Sequence, residues 1–366
     1  MMKILVLANF GMGLYKFRKE LLQQLIQLGD EVYVSLPYDD YVPLLIDLGC
    51  KFIETRVDRR GTNPLNDIVL IHKYRRIVKN TKPDIILSYT IKPNIYGGIV
   101  SRMNRTPYLP NVTGLGTSIE NKGLLQKFTL FMYRFGLKNA TCVFFQNDSN
   151  KNYFLDKKVI SGNYKVIPGS GINLNEYKFQ EYPKNGTVRL LFIGRLMKNK
   201  GITELLDAAK HYKDSSADIE FHIIGFNETE SNETLQELNA NNTIFYHGQL
   251  NDVREQIKLC HAIILPSYHE GLSNVLLEAA SMGRPILASN IPGCKETFDE
   301  KISGFGFEPK SLSGIIDAID KFIHIPYETK KQMGRNARRK AEKEFNRNII
   351  IDSYLKEINK FKECLK

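Results

Sequence analysis

The feature that most constrains the fold is an alternation between short apolar runs and longer amphipathic stretches. In the first half of the chain, strands are predicted at 4–8, 31–35, 85–88, 142–145 and 164–167. Helices are predicted between them at 14–28, 41–48 and 68–79. This order is typical of β-α-β units, in which helices connect parallel strands. The first half therefore predicts an α/β domain with a doubly wound parallel sheet.

The alternation stops over 173–186, a polar stretch that contains Pro183, and then begins again. Strands are predicted at 189–193, 219–224, 243–247, 261–267 and 285–288. Helices are predicted at 201–211, 253–259 and 274–283, and 329–366 is predicted to be helical throughout. A chain of 366 residues exceeds the usual size of one hydrophobic core. We therefore predict two Rossmann-like domains, 1–175 and 185–345, which face each other across a cleft.

The excess of positive over negative charge lies entirely in the first half of the chain. Residues 1–180 hold 25 Lys and Arg against 14 Asp and Glu, whereas the remainder holds 26 of each, so the whole formal charge of +11 belongs to the first half. Such a charge favours an anionic partner, either nucleic acid, acidic lipid or a phosphorylated substrate. The alternative interpretation is a solvated basic face that has no partner.

Composition excludes several classes of protein. With 42% hydrophobic and 25% charged residues the chain is globular, and no apolar run is long enough to span a bilayer. The apolar part of the N-terminus is too short for a secretory signal and predicts a first strand. The five cysteines are scattered and form no CxxC or Cys/His cluster, so we expect reduced thiols in the cytoplasm and no zinc site.

Two carboxylates, Glu270 and Glu278, flank a predicted strand-to-helix loop. In an open parallel sheet, ligands bind at the loops that follow the carboxyl ends of the strands. The free N–H groups at a helix N-terminus suit a phosphate. A carboxylate on each side of an anion site suggests a sugar nucleotide, with its phosphates on the amides and its hydroxyls on the carboxylates.

A second loop of the same predicted sheet follows the strand at 189–193. It holds Gly194, Arg195 and Lys200 and enters a helix at Gly201. Glycine lets a ligand approach the backbone, and Arg and Lys contact diphosphates. Because both loops lie at carboxyl ends of strands in one sheet, they are expected to form one site.

These motifs resemble a known family. Gly194-Arg195-x4-Lys200-Gly201, followed by Pro266-Ser267-x2-Glu270-Gly271-x6-Glu278, is similar to the donor site of retaining GT-B glycosyltransferases of family 4. The resemblance covers the whole chain. It implies two Rossmann-like domains and a C-terminal helix, about 346–366, that returns to the N-terminal domain.

The resemblance also implies roles for individual residues. Arg195 and Lys200 would hold the donor diphosphate and neutralise it as it leaves, which is electrostatic catalysis. Glu278 would accept hydrogen bonds from the ribose, and Glu270 would orient the transferred sugar, so Glu270, Arg195 and Lys200 are the implied catalytic residues. Gly194 completes the diphosphate loop. Backbone amides for the phosphate or the sugar are implied at Gly271, Leu272, Ser273 and Asn274. The chain has no Asp-x-Asp motif, so we expect no metal and no cofactor.

Two histidines lie close to these donor motifs. His247 ends a predicted strand next to Gly248, where it either contacts the nucleotide base or simply makes a hydrogen bond at the strand end. His269 is adjacent to Glu270, and without partner ligands a metal role is not expected for it.

The first half supplies candidates for the acceptor side. A loop that enters the first helix holds Gly11, Gly13, Lys16 and Arg18; it borders the reaction centre in similar enzymes, and a simple tight turn is the alternative. Lys92 and Asn94 follow the predicted strand at 85–88, and Thr113 and Gly114 follow the next apolar stretch. Many family members have a His in the last of these regions that contacts the donor sugar. This chain has none there, and Thr113 or the Gly114 amide is its candidate replacement.

Tyr89-x-Ile91-Lys92-Pro93-Asn94 and Asn111-x-Thr113-Gly114-x-Gly116 are similar to the branch that extends undecaprenyl-diphosphate-linked sugars in bacterial surface polysaccharides. Two basic clusters are candidate contacts for acidic headgroups. They comprise Arg56, Arg59 and Arg60, and Lys73, Arg75, Arg76 and Lys79. The apolar segment 124–135, with Lys127, Arg134 and Lys138 beside it, is either a helix in the membrane interface or a helix that faces the core.

The resulting prediction is a retaining, metal-independent glycosyltransferase attached peripherally to the inner face of the cell membrane. It would move a hexose or N-acetylhexosamine, the GalNAc or GlcNAc type being favoured, from a UDP-sugar to an undecaprenyl-diphosphate-linked sugar. The partners would be the UDP-sugar, the lipid-diphosphate-linked acceptor and an anionic membrane surface. The alternatives are a GT-B enzyme with a soluble acceptor or a UDP-sugar epimerase. A nucleic-acid-binding protein is the remote alternative, because no nucleic-acid motif accompanies the basic charge.

Overall fold

The computed structural model describes residues 1–58, 61, 63–115, 119, 123–213, 215, 217–226 and 232–364. Arg59, Arg60 and Gly116, which the sequence motifs include, lie outside these residues. The chain forms two compact units. The first unit comprises Met1–Ser170 and Ile350–Lys366, and the second unit comprises Gly171–Ile349.

The first unit is built on a parallel sheet. Its strands are β1 (Lys3–Leu7), β2 (Glu31–Leu36), β3 (Lys51–Glu54), β4 (Ile85–Tyr89), β5 (Tyr108–Val112), β6 (Val143–Phe145) and β7 (Tyr164–Val166). Their order across the sheet is β3-β2-β1-β4-β5-β6-β7. The helices are α1 (Gly11–Gln27), α2 (Val42–Asp47), α3 (Pro64–Thr81), α4 (Ile91–Asn104), α5 (Leu124–Leu137) and α6 (Asp148–Asp156). Helix α13 (Arg347–Cys364), at the end of the described chain, completes the unit.

Strand β1 shows why the apolar runs are continuous. Ile4 and Val6 pack in one buried cluster with residues of α1 and α13, whereas Leu5 and Leu7 pack in another with residues of α3, α4 and α5. Successive side chains of a strand point to opposite faces, so a strand covered on both sides is apolar at every position.

The second unit is also built on a parallel sheet. Its strands are β8 (Val188–Ile193), β9 (Ile219–Ile224), β10 (Phe245–Tyr246), β11 (Ala262–Leu265), β12 (Ile286–Ser289) and β13 (Gly304–Phe307), in the order β10-β9-β8-β11-β12-β13. The helices are α7 (Ile202–Lys213), α8 (Asn232–Ala240), α9 (Arg254–Leu259), α10 (Asn274–Ser281), α11 (Leu312–His324) and α12 (Tyr327–Glu344). Two short 3-10 helices span Lys198–Lys200 and Lys295–Thr297.

Both sheets reverse their strand order at one point. In the first unit the reversal lies between β1 and β4, and in the second it lies between β8 and β11. Chain connections on the two sides of such a point run in opposite directions, which leaves a crevice at the carboxyl ends of the two central strands. The loops that follow these four strands are therefore the places where ligands are expected.

The polar stretch 173–186, which the sequence predicts as a linker, packs on the second unit. Arg284 is fully buried and donates to the backbone oxygens of Gln180 and Glu181 at 3.1 and 2.9 Å. The hydroxyl of Tyr182 donates to His261 O at 2.9 Å. Backbone oxygens of this stretch thus accept hydrogen bonds from a buried cation, and the boundary between the units falls earlier, after Ser170.

The prediction of one continuous helix over 329–366 is wrong at Phe345 and Asn346, which separate α12 from α13. Ile172 donates its N–H to Phe345 O at 2.7 Å, and Ile172 O accepts from Arg347 N at 3.0 Å. These bonds replace helical ones at the point where the chain leaves the second unit. Beyond them, Ile350, Ile351, Tyr354 and Ile358 are buried in a core cluster of the first unit.

Within the described residues, no helix is both long and apolar enough to cross a bilayer.

Candidate functional site

The two loops that flank the reversal point of the second sheet are hydrogen-bonded to each other. One follows β8 and contains the 3-10 helix Lys198–Lys200, and the other follows β11. Tyr268 N donates to Asn199 O at 3.0 Å. Two loops that the sequence treats as separate signals therefore form one structure.

Gly201 permits this contact for two reasons. Its φ is +70°, in the left-handed region that favours glycine. A Cβ atom built on it would lie 2.1 Å from Pro266 O, well inside van der Waals contact. Any side chain at 201 would therefore push the two loops apart.

The contact brings the predicted catalytic residues Lys200 and Glu270 together. Lys200 Nζ lies 2.5 Å from Glu270 Oε1, and Ser267 Oγ donates to the same oxygen at 2.9 Å. The Lys200 and Glu270 side chains are only 21% and 13% exposed, so water screens this ion pair less than it screens a surface pair. The pair places the cation predicted to hold the diphosphate next to the carboxylate predicted to orient the sugar.

A glycine that the sequence analysis does not identify supports this loop. Gly293 follows β12 with φ +87°, and a Cβ on it would lie 2.7 Å from Glu270 O. Gly293 O accepts from Ser273 N at 2.8 Å. Nothing in the sequence signals the role of Gly293, because its partner is the backbone of a residue more than twenty positions away.

Helix α10 carries Glu278 and begins with Asn274, so the implied amide donors lie at its start. Ser273 is the N-cap residue and its side chain makes no capping hydrogen bond. Glu278 is half-buried. Burial raises the pKa of the Tyr177 hydroxyl, and the negative charge of Glu278 raises it further. Tyr177 belongs to the predicted linker, and the sequence analysis does not place it at the site.

The remaining predicted donor residues lie on the same loops. Gly194 directly follows β8, and the Arg195 side chain is exposed. Gly271 is half-buried, whereas Leu272 and Ser273 are buried at the entry to α10. His269 is exposed beside Glu270.

His247 lies at the end of a chain of hydrogen-bonded side chains. Its Nε2 is 2.9 Å from His222 Nδ1, and His222 Nε2 is 3.1 Å from Glu220, which Arg189 contacts at 2.9 Å. Burial lowers the pKa of both histidines. The hydrogen-bonded strand end, one of the two interpretations of His247, is thus present in the structure.

In the first unit, Asp39 occupies the N-terminus of α1. Its Oδ2 accepts from the N–H groups of Gly11 at 2.6 Å and Met12 at 3.2 Å. The helix begins at Gly11, so Gly11 and Gly13 lie in its first turn and not in a loop before it. A Cβ on Gly11 would clash with Asp39, and one on Gly13 would clash with Phe10. The sequence analysis does not identify Asp39.

Lys16 and Arg18 lie in different environments on α1. Lys16 Nζ lies 5.9 Å from the centre of the Tyr41 ring. Arg18 is 4% exposed, and its guanidinium lies 4.9 Å from the centre of the Tyr89 ring, at the end of β4. Arg18 is therefore an interior residue at the carboxyl edge of the sheet.

Lys92 and Asn94, at the start of α4, are both engaged within the first unit. Lys92 forms a half-buried ion pair with Asp67 at 2.7 Å. Asn94 is fully buried; its Oδ1 accepts from Ser88 Oγ, and its Nδ2 donates to Asn111 O, both at 2.7 Å. Because these bonds join the ends of β4 and β5, Asn94 braces the carboxyl edge of the sheet, and its contact with the acceptor stays a prediction.

The turn between β4 and α4 is strained. Thr90 has φ +73°, a conformation that is unfavourable for a β-branched residue. Strain of this kind persists only where surrounding structure imposes it, and it is concentrated at functional sites. Thr113 and Gly114, just after the neighbouring strand β5, are half-buried.

Among the described residues, no group of three or more His, Cys, Asp or Glu side chains is arranged to hold a metal ion.

Comparisons with known proteins match both halves. Residues 3–147 match the glycosyl transferase 4-like family model, and residues 175–340 match glycosyl transferases group 1. The chain is 28% identical to the N,N'-diacetylbacillosaminyl-diphospho-undecaprenol alpha-1,3-N-acetylgalactosaminyltransferase of Campylobacter jejuni, over 97% of this chain and 98% of that protein. It is 23% identical to the UDP-Gal:alpha-D-GlcNAc-diphosphoundecaprenol alpha-1,3-galactosyltransferase of Escherichia coli, over 78% of each.

A solved structure of Anabaena HepE in complex with UDP superimposes with a TM-score of 0.80 at 18% identity, covering 98% of this chain and all of that one. At this identity the likeness concerns the fold alone. The matched families and the two parallel-sheet units together show that this chain belongs to the GT-B glycosyltransferases, with a glycosyl transferase 4-like domain followed by a group 1 domain.

Proposed function

We propose that this glycosyltransferase transfers a hexose or N-acetylhexosamine from a UDP-sugar to an undecaprenyl-diphosphate-linked sugar in bacterial surface polysaccharide synthesis. The observation that carries the donor side is the Lys200–Glu270 pair, which joins the loops after β8 and β11 with Glu278 on the next helix. The acceptor class is supported by the two relatives, whose names both specify diphosphoundecaprenol-linked acceptors. An N-acetylhexosamine donor is favoured because the relative similar over nearly the whole chain is an N-acetylgalactosaminyltransferase.

The proposed reaction needs positive charge at the leaving diphosphate. Arg195 and Lys200 supply it, and such charge is most effective where water is partly excluded, as it is around Lys200. Glu270 accepts hydrogen bonds from Lys200 and Ser267, which fix the position of its side chain. In the proposed reaction Glu270 orients a sugar hydroxyl and favours positive charge at the anomeric carbon.

We further propose that the anomeric configuration is retained without a covalent glycosyl-enzyme. The bond between the anomeric carbon and the UDP oxygen breaks first. The acceptor hydroxyl then bonds to the anomeric carbon on the face that UDP leaves, and its proton passes to the departing diphosphate. Glu270 is bound by a lysine and a serine at the same oxygen, a setting that lowers its nucleophilicity. The diphosphate charge is balanced by Arg195 and Lys200, so the proposal includes no metal ion.

A panel of UDP-sugars with a short-chain lipid-diphosphate-linked acceptor tests this function. We expect one UDP-N-acetylhexosamine to be used in preference to the others, with an α-linked product by proton NMR and full activity in chelator. A β-linked product would refute retention. Transfer only to free sugars would refute the lipid-linked acceptor.

The enzyme is proposed to act at the inner face of the cell membrane, peripherally attached. The support is twofold: the acceptor class of the relatives is lipid-linked, and the formal charge of +11 belongs to residues 1–180. An anionic bilayer attracts such a charge over roughly one Debye length, about 8 Å at physiological salt.

A further inference from the structure

Helix α5 carries apolar side chains on two opposite faces. Thr129, Tyr133 and Leu137 are buried against the first unit. On the other side, a stripe of apolar residues is exposed. It comprises Leu124 (85% exposed), Phe128 (58%), Phe131 (61%) and Phe135 (45%). These positions recur every three or four residues, so they line one side of the helix. The two interpretations of this segment from sequence, core helix and interface helix, apply to different faces of the same element.

Close helix packing fixes which face of α5 is exposed. A Cβ on Gly98 of α4 would lie 2.1 Å from Gly136 O, and a Cβ on Gly136 would lie 2.6 Å from Ile95 O. The backbones of α4 and α5 are therefore in direct contact at these glycines. Rotation of α5 to bury the stripe would drive side chains into this contact, so the exposure is built into the fold.

A cavity of about 360 Å³ opens beside the stripe. Phe131, Phe135 and Ile160 give it apolar walls. Its cationic lining residues are Arg134, Lys138 and Lys158. None of the described residues that line the cavity is acidic. The guanidinium of Arg102 adds a further positive charge 4.1 Å from the centre of the Phe135 ring. Apolar walls with uncompensated cations suit a ligand that is anionic at one end and apolar at the other.

We propose that the stripe and this cavity, together called the α5 surface, dock the enzyme on a bilayer that contains anionic phospholipid. The four apolar side chains of the stripe enter the boundary between headgroups and acyl chains, and the cavity receives the phosphate of one lipid headgroup. Helices that lie in the interface combine aromatic and leucine side chains on one face with Lys and Arg beside it, as α5 does.

Charge selects this occupant over a second copy of the chain. In a two-fold dimer through the stripe, Arg134 and Lys138 of both copies would be brought together without acidic partners. An anionic bilayer supplies the missing negative charge. The inference rests on the membrane attachment in the proposed function and names the surface that makes it; neither donor nor acceptor atoms enter the argument.

Flotation with vesicles tests the proposal on the full chain. Binding is measured to phosphatidylcholine vesicles with and without phosphatidylglycerol, for the wild type, for Phe128→Ser/Phe131→Ser and for Lys138→Glu/Lys158→Glu. We expect the wild type to prefer anionic vesicles, and each variant to lose at least about ten-fold in binding. Each test variant has a matched control at exposed sites outside the α5 surface. Leu28→Ser/Ile302→Ser also removes exposed apolar side chains and matches the phenylalanine variant. Arg335→Glu/Arg339→Glu makes the same change in net charge and matches the lysine variant. Both controls should bind like the wild type.

Equal loss in variants and controls would overturn the proposal, since it would reflect overall charge or folding. The proposal would also be overturned if light scattering showed that the wild type is a dimer and that Phe128→Ser/Phe131→Ser is a monomer. Transfer to a short-chain acceptor, measured without vesicles, should stay at the wild-type rate in both test variants; a matching loss there would place the α5 surface in catalysis. If the wild type transfers no sugar but still binds anionic vesicles through α5, the proposed function is refuted and the docking proposal stands.

Discussion

At the residue scale, the Lys200–Glu270 pair connects two separate sequence signals. Lys200 comes from the Gly194–Gly201 motif and Glu270 from the carboxylate pair, and spacing alone does not predict that they touch. Their contact means that the cation assigned to the diphosphate already balances the carboxylate assigned to the sugar. A substitution at either position therefore changes the charge that its partner presents to the donor.

This coupling makes a quantitative prediction for UDP binding. Lys200→Ala should weaken it by about 10- to 100-fold, because a charge-assisted hydrogen bond contributes roughly 1.5–3 kcal/mol and Glu270 is left without its cation near the phosphates. The double variant Lys200→Ala/Glu270→Gln should bind UDP more tightly than Lys200→Ala does, because it removes the unbalanced carboxylate. Isothermal titration calorimetry measures both affinities. Lys198→Ala, an exposed lysine in the same 3-10 helix, is the control and should bind UDP normally. Additive losses in the double variant would contradict the coupling.

At the scale of elements, the sequence predicts the central strands better than their partners. The apolar runs at β1, β2, β4, β8 and β9 are buried and are predicted within one residue or so. Strands β3, β5 and β13 and helices α4, α6, α8 and α11 are absent from the sequence prediction. Strand β3 has half-buried and exposed residues, so its apolar signal is weak, and β13 is Gly-Phe-Gly-Phe. Neighbouring strands stabilise these segments more than their own composition does.

The contact between the loops after β8 and β11 depends on one glycine, which can be tested. Gly201→Ala should cost about 1–2 kcal/mol in unfolding free energy for the left-handed backbone, and the clash with Pro266 O should also weaken UDP binding. Gly29→Ala is the matched control, because Gly29 has φ +83° and nothing within 4 Å of its built Cβ. Thermal unfolding and UDP titration of both variants separate the two effects. Normal UDP affinity in Gly201→Ala would show that the contact does not position the donor loop.

At the scale of the whole molecule, the two units have different electrostatic character. The excess of basic residues lies in the first half of the chain, whereas three histidines with lowered pKa, His222, His247 and His261, all lie in the second unit. His261 accepts from Arg189 N through Nδ1 at 3.1 Å and donates from Nε2 to Lys184 O at the same distance. A proton on Nδ1 would abolish the first of these bonds.

This arrangement predicts that acid destabilises the second unit. Burial lowers the pKa of His261 below its ordinary value of about 6.5, and the charges of Lys330, Arg284 and Arg189 act in the same direction. The unfolded state then binds more protons as pH falls below about 6.5, so the unfolding free energy must fall with it. Denaturant unfolding should give a lower unfolding free energy for the wild type at pH 5.5 than at pH 7.5. The difference between the two pH values should be smaller in His261→Gln. The exposed His324→Gln is the control, and an unchanged pH dependence in His261→Gln would refute the assignment.

The sequence by itself determined that two α/β units occur in tandem, and it singled out the two loops that are predicted to bind the donor. Hydrophobic periodicity and local motifs carry that information, because each is contained in a short segment. Only the tertiary structure decided that Lys200 contacts Glu270, that Asp39 occupies the start of α1, and that the helical C-terminus breaks at Phe345. It also decided that one apolar face of α5 is buried and the other exposed. Each of these depends on segments far apart in sequence, whose packing no local pattern encodes.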